Sequence, residues 1–135
     1  MDETDEKILA ILKESAREPF VRIAGRLKLS EGAIRNRVGK LVREGAIRRF
    51  TIETGEQRIK ALIAARIRVN TLAQEAAKKV RALEGVERVY EVSGDEDLIV
   101  IVEVAKTEEL NATVDRIRRM DSTLSTRTLL VMKEH

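Results

Sequence analysis

Residues 30–41 read Ser30-Glu-Gly-Ala-Ile-Arg-Asn-Arg-Val-Gly-Lys-Leu41, SEGAIRNRVGKL in one-letter code. Ser30 offers a side-chain acceptor suited to a helix N-cap. Wound at about 100° per residue, Ile34, Val38, Leu41 and Val42 fall on one face. Gly32, Arg35, Asn36, Gly39, Lys40 and Arg43 fall opposite. Each glycine inside a helix costs about 1 kcal/mol relative to alanine. Both lie on the outward face, where packing does not need them. An outward face of bare backbone, arginine, asparagine and lysine suits a helix lying in the DNA major groove. There Arg reads guanine, Asn reads adenine, and glycine lets the backbone approach. The plainer reading is a solvated face carrying two poor helix formers.

The flanks favour the first reading. Upstream, Asp5 to Arg17 carries Ile8, Leu9, Ile11, Leu12 and Ala16 at helical spacing. Pro19 suits the first turn of a second, short helix holding Val21, Ile23, Ala24 and Leu27. The tight "KLS" joins it to the third helix, which Gly45 stops. Three short helices with so tight a final turn predict a helix-turn-helix. "AIRRFTIE", residues 46–53, predicts a strand, a wing or a crossing into the second half, and "TGEQR" is the linker.

The net charge of the 135 residues is only +3, but residues 17–49 hold ten basic side chains against three acidic ones. Residues 51–135 hold fourteen basic and fifteen acidic. Basic charge concentrated in one module points to a polyanion partner, here double-stranded DNA. Arg22, Arg48 and Arg49 are candidate phosphate contacts, which position without specifying. Arg37 sits at the flank of the helix, as a phosphate anchor or an intramolecular brace.

The second half alternates strand and helix. Strands are expected over 59–69, 86–94, 97–105 and 125–133. One helix is capped by Thr71, ends at Gly85 and turns Leu72, Ala76, Val80 and Leu83 inward; another is capped by Thr107. The order βαββαβ predicts a ferredoxin-like sheet with both helices on one face. The chain is therefore α+β: a winged-helix-like helix-turn-helix domain over 1–53, then a ferredoxin-like domain over 58–135. In the third strand Ile99, Ile101 and Glu103 alternate with Val100, Val102 and Val104, so both sides are largely apolar. That predicts burial of the second sheet face against a copy of the chain.

Composition narrows the function. There is no cysteine, and the one histidine is His135, which leaves no thiolate site and no Ser-His-Asp arrangement. Phosphate-binding GxxxxGK and dinucleotide GxGxxG patterns are absent. No apolar run approaches a membrane span, and the acidic, amphipathic N-terminus is unlike a signal peptide. The expectation is a cytoplasmic protein that is no enzyme, with no metal or cofactor and no membrane partner. One further feature is the acidic hairpin "YEVSGDEDLIV", Tyr90 to Val100, which gathers Glu91, Asp95, Glu96 and Asp97. It is either a solvent-exposed turn or a pocket for a ligand amine, with backbone N–H groups taking the ligand's carboxylate.

Together the two halves resemble the Lrp/AsnC family, the leucine-responsive and asparagine-responsive transcription regulators. The carriers are "MDETDEKILAILKESAR", "IAGRLKLSEGAIRNRVGKLVREGAI" and "VYEVSGDEDLIVIV". The resemblance implies a recognition helix over Ser30 to Lys40, Glu31 and Arg37 included, and a second domain that senses an amino acid and dimerises through its sheet. It also implies an effector site at Tyr90, Glu91, Ser93, Gly94, Asp95, Glu96 and Asp97. Ser125 and Thr126 would line that site from a neighbouring subunit. "RRFTIE" and "YE" before "GDED" look most like the lysine-responsive, LysM-type members. Glu96 replaces an aromatic often found between the two aspartates, and Gly39 takes a position usually polar.

The leading expectation is a sequence-specific regulator of amino-acid metabolism, a homodimer or higher oligomer answering to lysine or another amino acid. The alternative is a low-specificity architectural DNA-binding protein whose second domain only mediates assembly. A small carboxylate-based enzyme on the ferredoxin-like domain is the third reading.

Overall fold

The computed structural model describes residues 1–135. The first helix, α1 (Glu3–Glu14), starts two residues earlier than the apolar pattern suggests because Asp2 caps it. The Asp5 N–H donates to Asp2 at 2.8 Å, and the Asp2 N–H donates to the Asp5 carboxylate at 3.1 Å. This reciprocal pair satisfies two otherwise orphaned donors. Helix α1 stops before the extended Ser15, so Ala16 lies outside it and is exposed.

Helix α2 (Phe20–Leu27) follows Pro19 and ends at Lys28, which takes the left-handed conformation. Its inward stripe is Phe20, Ile23, Ala24 and Leu27, spaced i, i+3, i+4, i+7. Val21 was expected inward but lies about 100° off that stripe and is 63% exposed. Helix α3 (Glu31–Arg43) begins where the Ser30 hydroxyl accepts the Ala33 N–H at 3.1 Å. Ile34, Val38 and Leu41 pack against Ile8, Ile11, Leu12, Ile23 and Ala24. Val42, expected on the same face, is rotated past the seam and exposed.

The strand expected over 46–53 does not form, and there is no wing. Ile47 packs on the helical core, while Phe50 and Ile52 are exposed. A strand needs a neighbour to accept its N–H groups, and residues 1–54, the first of two compact units, contain no other strand.

The second unit, Gly55–His135, holds the predicted order: β1 (Ile59–Ile67), α4 (Ala73–Arg81), β2 (Val86–Glu91), β3 (Leu98–Val104), α5 (Thr107–Arg118) and β4 (Thr123–Leu130). The sheet runs β2-β3-β1-β4, each neighbouring pair antiparallel. Ala61, Ile63 and Ala65 stand opposite Val102, Val100 and Leu98 and bury against Ala76, Val80, Leu110 and Ile117 of the two helices.

Several edges differ from the sequence pattern. Strand β1 ends at Ile67, so Val69 is exposed. Thr71 lies in a turn, its N–H donating to the Arg68 carbonyl, and caps nothing. Leu72 precedes α4 and is 67% exposed rather than part of its stripe. Thr107 is the first residue of α5 instead of its cap. Lys106 is the N-cap, and the Glu109 carboxylate reaches back to accept the Ala105 and Lys106 N–H groups at 2.9 and 3.1 Å.

The second face of the sheet is open in the single chain. Leu62 stands between Ile101 and Leu129, and Leu129 and Tyr90 are each about half exposed. No helix is long and apolar enough to cross a membrane.

Candidate nucleic-acid interface and effector site

On α3, Gly32, Arg35, Asn36, Lys40 and Arg43 are exposed, and Gly39 is half-buried. A Cβ on Gly32 would meet nothing within 4 Å, and one on Gly39 only the mobile tip of Arg43, at 3.2 Å. Packing therefore requires neither glycine. Asn36 makes no side-chain bond within the protein. Arg35 pairs with Glu31 at 2.7 Å and Lys40 with Glu44 at 3.8 Å, both exposed i, i+4 pairs. Such pairs are worth a few tenths of a kcal/mol, about 0.5 at most, so both cations exchange them readily for a nucleic-acid partner. The Ser30 hydroxyl oxygen serves as the cap. Arg22 reaches Glu18 at 3.4 Å, whereas Arg43, Arg48 and Arg49 have no carboxylate partner.

Arg37 is held differently. One of its guanidinium nitrogens donates to Asp2 Oδ2 at 2.7 Å and to Asp5 Oδ1 at 2.9 Å. Of the two roles open to it in the sequence, the geometry is that of the intramolecular brace. The Arg37 hydrogen bond, reinforced by the Asp5 N–H, holds the Asp2 carboxyl at a pKa of about 2. Asp5 is also lowered, chiefly by the Asp2 N–H and then by Arg37, and both carboxylates raise Arg37 in return. A shallow pocket surrounds this triad, with Ala33, Asn36 and Lys40 on its rim. Sequence reading missed the two aspartates; the Asp-x-x-Asp spacing at a helix start is the signal that would have found them.

In the second unit, the β2–β3 hairpin and the opening of β4 lie at one end of the sheet. Ala65 stands between Leu98 and Thr126, and Arg66 stands opposite Ser125. Within one chain β1 thus separates the hairpin from Ser125 and Thr126, by about 10 Å of strand spacing. The hairpin acids are not equivalent. Asp97 Oδ2 accepts the Ile67 N–H at 2.7 Å, and the Asp97 N–H donates to the Ala65 carbonyl at 2.9 Å. Glu96 pairs with Arg127 at 3.2 Å. Glu91 and Asp95 are exposed and unpaired.

Ser93 is exposed, and Gly94 takes φ +127, a conformation that L side chains rarely adopt. The Tyr90 hydroxyl lies 3.4 Å from an Arg88 nitrogen, and the Thr126 hydroxyl accepts from Arg118 Nε at 3.1 Å. Glu91 and Asp95 are thus the two hairpin acids that no other side chain holds. No cluster of three His, Cys, Asp or Glu side chains could hold a metal ion.

Comparison with known proteins covers both units. Residues 1–42 match the AsnC-type helix-turn-helix domain, and residues 60–135 match the Lrp/AsnC ligand binding domain. The HTH-type transcriptional regulator LysM of Saccharolobus solfataricus is 42% identical over 98% of this chain and 94% of its own length. The LysM regulator of Sulfurisphaera tokodaii is 40% identical over 98% and 96%. Among solved structures, Escherichia coli AsnC superposes with a TM-score of 0.78 at 23% identity, covering 99% of this chain and 93% of that one. A Neisseria meningitidis regulator in complex with L-Met superposes with a TM-score of 0.80 at 24% identity, covering 99% and 91%.

Proposed function

This chain belongs to the Lrp/AsnC family of transcription regulators, which are not enzymes, and from that premise we propose that it reads a specific DNA site through α3 and answers to an amino acid. The observation that carries the DNA reading is the outward face of α3. Asn36 is uncommitted, Arg35 and Lys40 are held only by exposed pairs, and Gly32 leaves the backbone bare. Arg35, Asn36 and Lys40 contact base edges; Ser30 and Glu31 open the helix; Arg22, Arg43, Arg48 and Arg49 contact phosphates.

The chain assembles as a homodimer through the open sheet face, where Leu62, Ile101 and Leu129 form an apolar row. Higher oligomers build on that dimer. The two reading helices then meet half-sites about one helical turn apart.

The effector reading rests on Glu91 and Asp95 at the hairpin, the two acids left unpaired, with Tyr90, Ser93 and Gly94 around them. Asp97 and Glu96 shape the turn. Ser125 and Thr126 reach the ligand from a neighbouring subunit. Two free carboxylates favour an amino acid with a second amine, lysine first, in line with the names of the LysM relatives. Control of amino-acid metabolism follows from that effector class.

Selection of bound sites from random DNA, with and without an amino-acid mixture, tests both halves. A consensus that sharpens or fades with amino acid supports the reading. A thermal-shift screen of the twenty amino acids completes it, since a ligand that prefers the native state raises stability. Binding without a consensus and no shift with any amino acid would favour the architectural alternative.

A further inference from the structure

We propose that Arg37 is a positioning residue for base reading: clamped by Asp2 and Asp5, it fixes the rotation of α3 that presents Asn36 and Lys40, and it does not itself contact DNA. The proposal rests on the reading of α3 given above. Arg37 stands between the buried stripe of Ile34, Val38 and Leu41 and the exposed Asn36 and Lys40. Its partners are fixed before it arrives. Asp2 and Asp5 each accept the other's backbone N–H, which locks both carboxylates at the start of α1. Asp5 is also buried, at 5% exposure. A guanidinium nitrogen held between two such fixed acceptors, at 2.7 and 2.9 Å, leaves α3 little freedom to roll about its axis.

Charge argues against the competing role. Asn36 and Lys40 share the pocket rim with Asp2 and Asp5. The acidic pair therefore lies beside the surface meant to face a polyanion. With Arg37 in place the triad carries a net charge of about −1, and one aspartate is screened from solvent. If Arg37 swung out to a phosphate, two bare carboxylates would remain beside the DNA, one of them buried without a counter-charge, a costly arrangement. The charged groups around Arg37 are the N-cap Asp2, Asp5 of α1, Lys40 of α3 and the amino group of Met1; α2 contributes none to the pocket.

The sign of one substitution separates the two roles. Asp2→Asn removes a negative charge near DNA yet keeps an N-cap acceptor of equal quality. On charge alone it tightens binding to every sequence. If the clamp positions α3, it lowers the ratio of specific to non-specific affinity instead. The experiment measures affinity of the full chain for its selected site and for a scrambled duplex across a salt series. Wild type is compared with Asp2→Asn, Arg37→Gln and Arg37→Lys, with thermal melts confirming that each is folded.

The clamp predicts a fall in discrimination of roughly tenfold for Arg37→Gln, the worth of one base contact. The salt slope stays unchanged, because no phosphate contact is lost. Arg37→Lys restores discrimination, because one nitrogen meets both carboxylates in the clamp and a lysine ammonium is also a single nitrogen with donors for both. Asp2→Asn loses discrimination as well. A salt slope reduced by about 1 in Arg37→Gln, or tighter binding to both duplexes in Asp2→Asn, would overturn the proposal. So would unchanged discrimination in Arg37→Gln. If the wild-type chain selects no site at all, the reading of α3 fails first and the clamp falls with it, an outcome distinct from the others.

Discussion

The Asp97 carboxylate accepts the backbone N–H of Ile67 at 2.7 Å, fastening the β2–β3 hairpin to the end of β1. That bond supports the turn and engages one of the two carboxylate oxygens, Oδ2. Asp97→Ala strands the Ile67 N–H at a half-buried position and should cost about 1–3 kcal/mol. Asp95→Ala, at an exposed and unpaired position, should leave stability within about 0.5 kcal/mol. Urea unfolding of the ligand-free protein separates the two. An amino-acid-induced thermal shift lost in Asp95→Ala while its baseline melt is unchanged would then mark direct ligand contact.

Gly85 takes φ +85, and a Cβ there would lie 2.7 Å from Val104 Cγ1. Gly85→Ala combines backbone strain with a clash inside the sheet core. It should destabilise the second unit by about 2–3 kcal/mol. Calorimetry checks this. A melt like that of wild type would mean that the turn before β2 relaxes freely.

Much of this was legible beforehand, and the physical reasons differ by element. Ile34, Val38 and Leu41, spaced i, i+4, i+7, identified α3 because one periodicity decides both helix and buried face. The βαββαβ order followed from alternating runs such as 98–104, whose buried and half-buried residues alternate as the pattern required. The strand over 46–53 failed because strand formation depends on a partner edge that the local sequence does not encode. Caps at Thr71 and Thr107 failed because neighbours set where the helices start: Glu109 fastens the Ala105 and Lys106 N–H groups and Thr107 falls inside the first turn, while the Thr71 N–H is held in a turn by the Arg68 carbonyl. At the candidate sites, the sequence located the acidic hairpin but could not divide its four acids into two committed and two free. That division depends on bonds to Ile67 and Arg127, remote in the chain.

Gly32 sets stability against function. Nothing lies within 4 Å of a Cβ there, so Gly32→Ala should gain up to about 1 kcal/mol of helix stability. The same methyl covers backbone on the reading face and should weaken binding to the selected site. A higher melting temperature with lower site affinity is the expected pair of results. Gains in both would show that the bare backbone at Gly32 does not approach DNA.

The brace at Arg37 also carries a pH signature in stability. Asp2 titrates at about 2 in the folded chain against 3.8 for a free carboxyl, and Asp5 is lowered in the same direction. A depressed folded-state value means stability that is fully present above about pH 4 and lost as pH falls toward 2. Asp2→Asn removes one of these titrations. Its denaturation midpoint should depend less steeply on pH between about 4 and 2 than that of wild type. Parallel curves for the two proteins would mean that Asp2 has the same pKa folded and unfolded, contrary to the brace.

Asn36 and Arg49 assign opposite jobs to two exposed polar residues. Asn36 lies mid-face on α3 with its amide uncommitted and exposed, and under the proposed reading it bonds an adenine edge. Arg49 lies beyond α3 in the irregular segment, exposed and without a carboxylate partner, the setting of a phosphate contact. Asn36→Ala should weaken the selected site by about 1–3 kcal/mol and leave scrambled DNA nearly unaffected. Arg49→Ala should weaken both duplexes alike and reduce the salt slope by about 1. Fluorescence anisotropy over a salt series measures all four affinities. Equal losses on the two duplexes for Asn36→Ala would remove its role as a base reader, because a group that reads a base edge has nothing to lose on DNA that lacks the base.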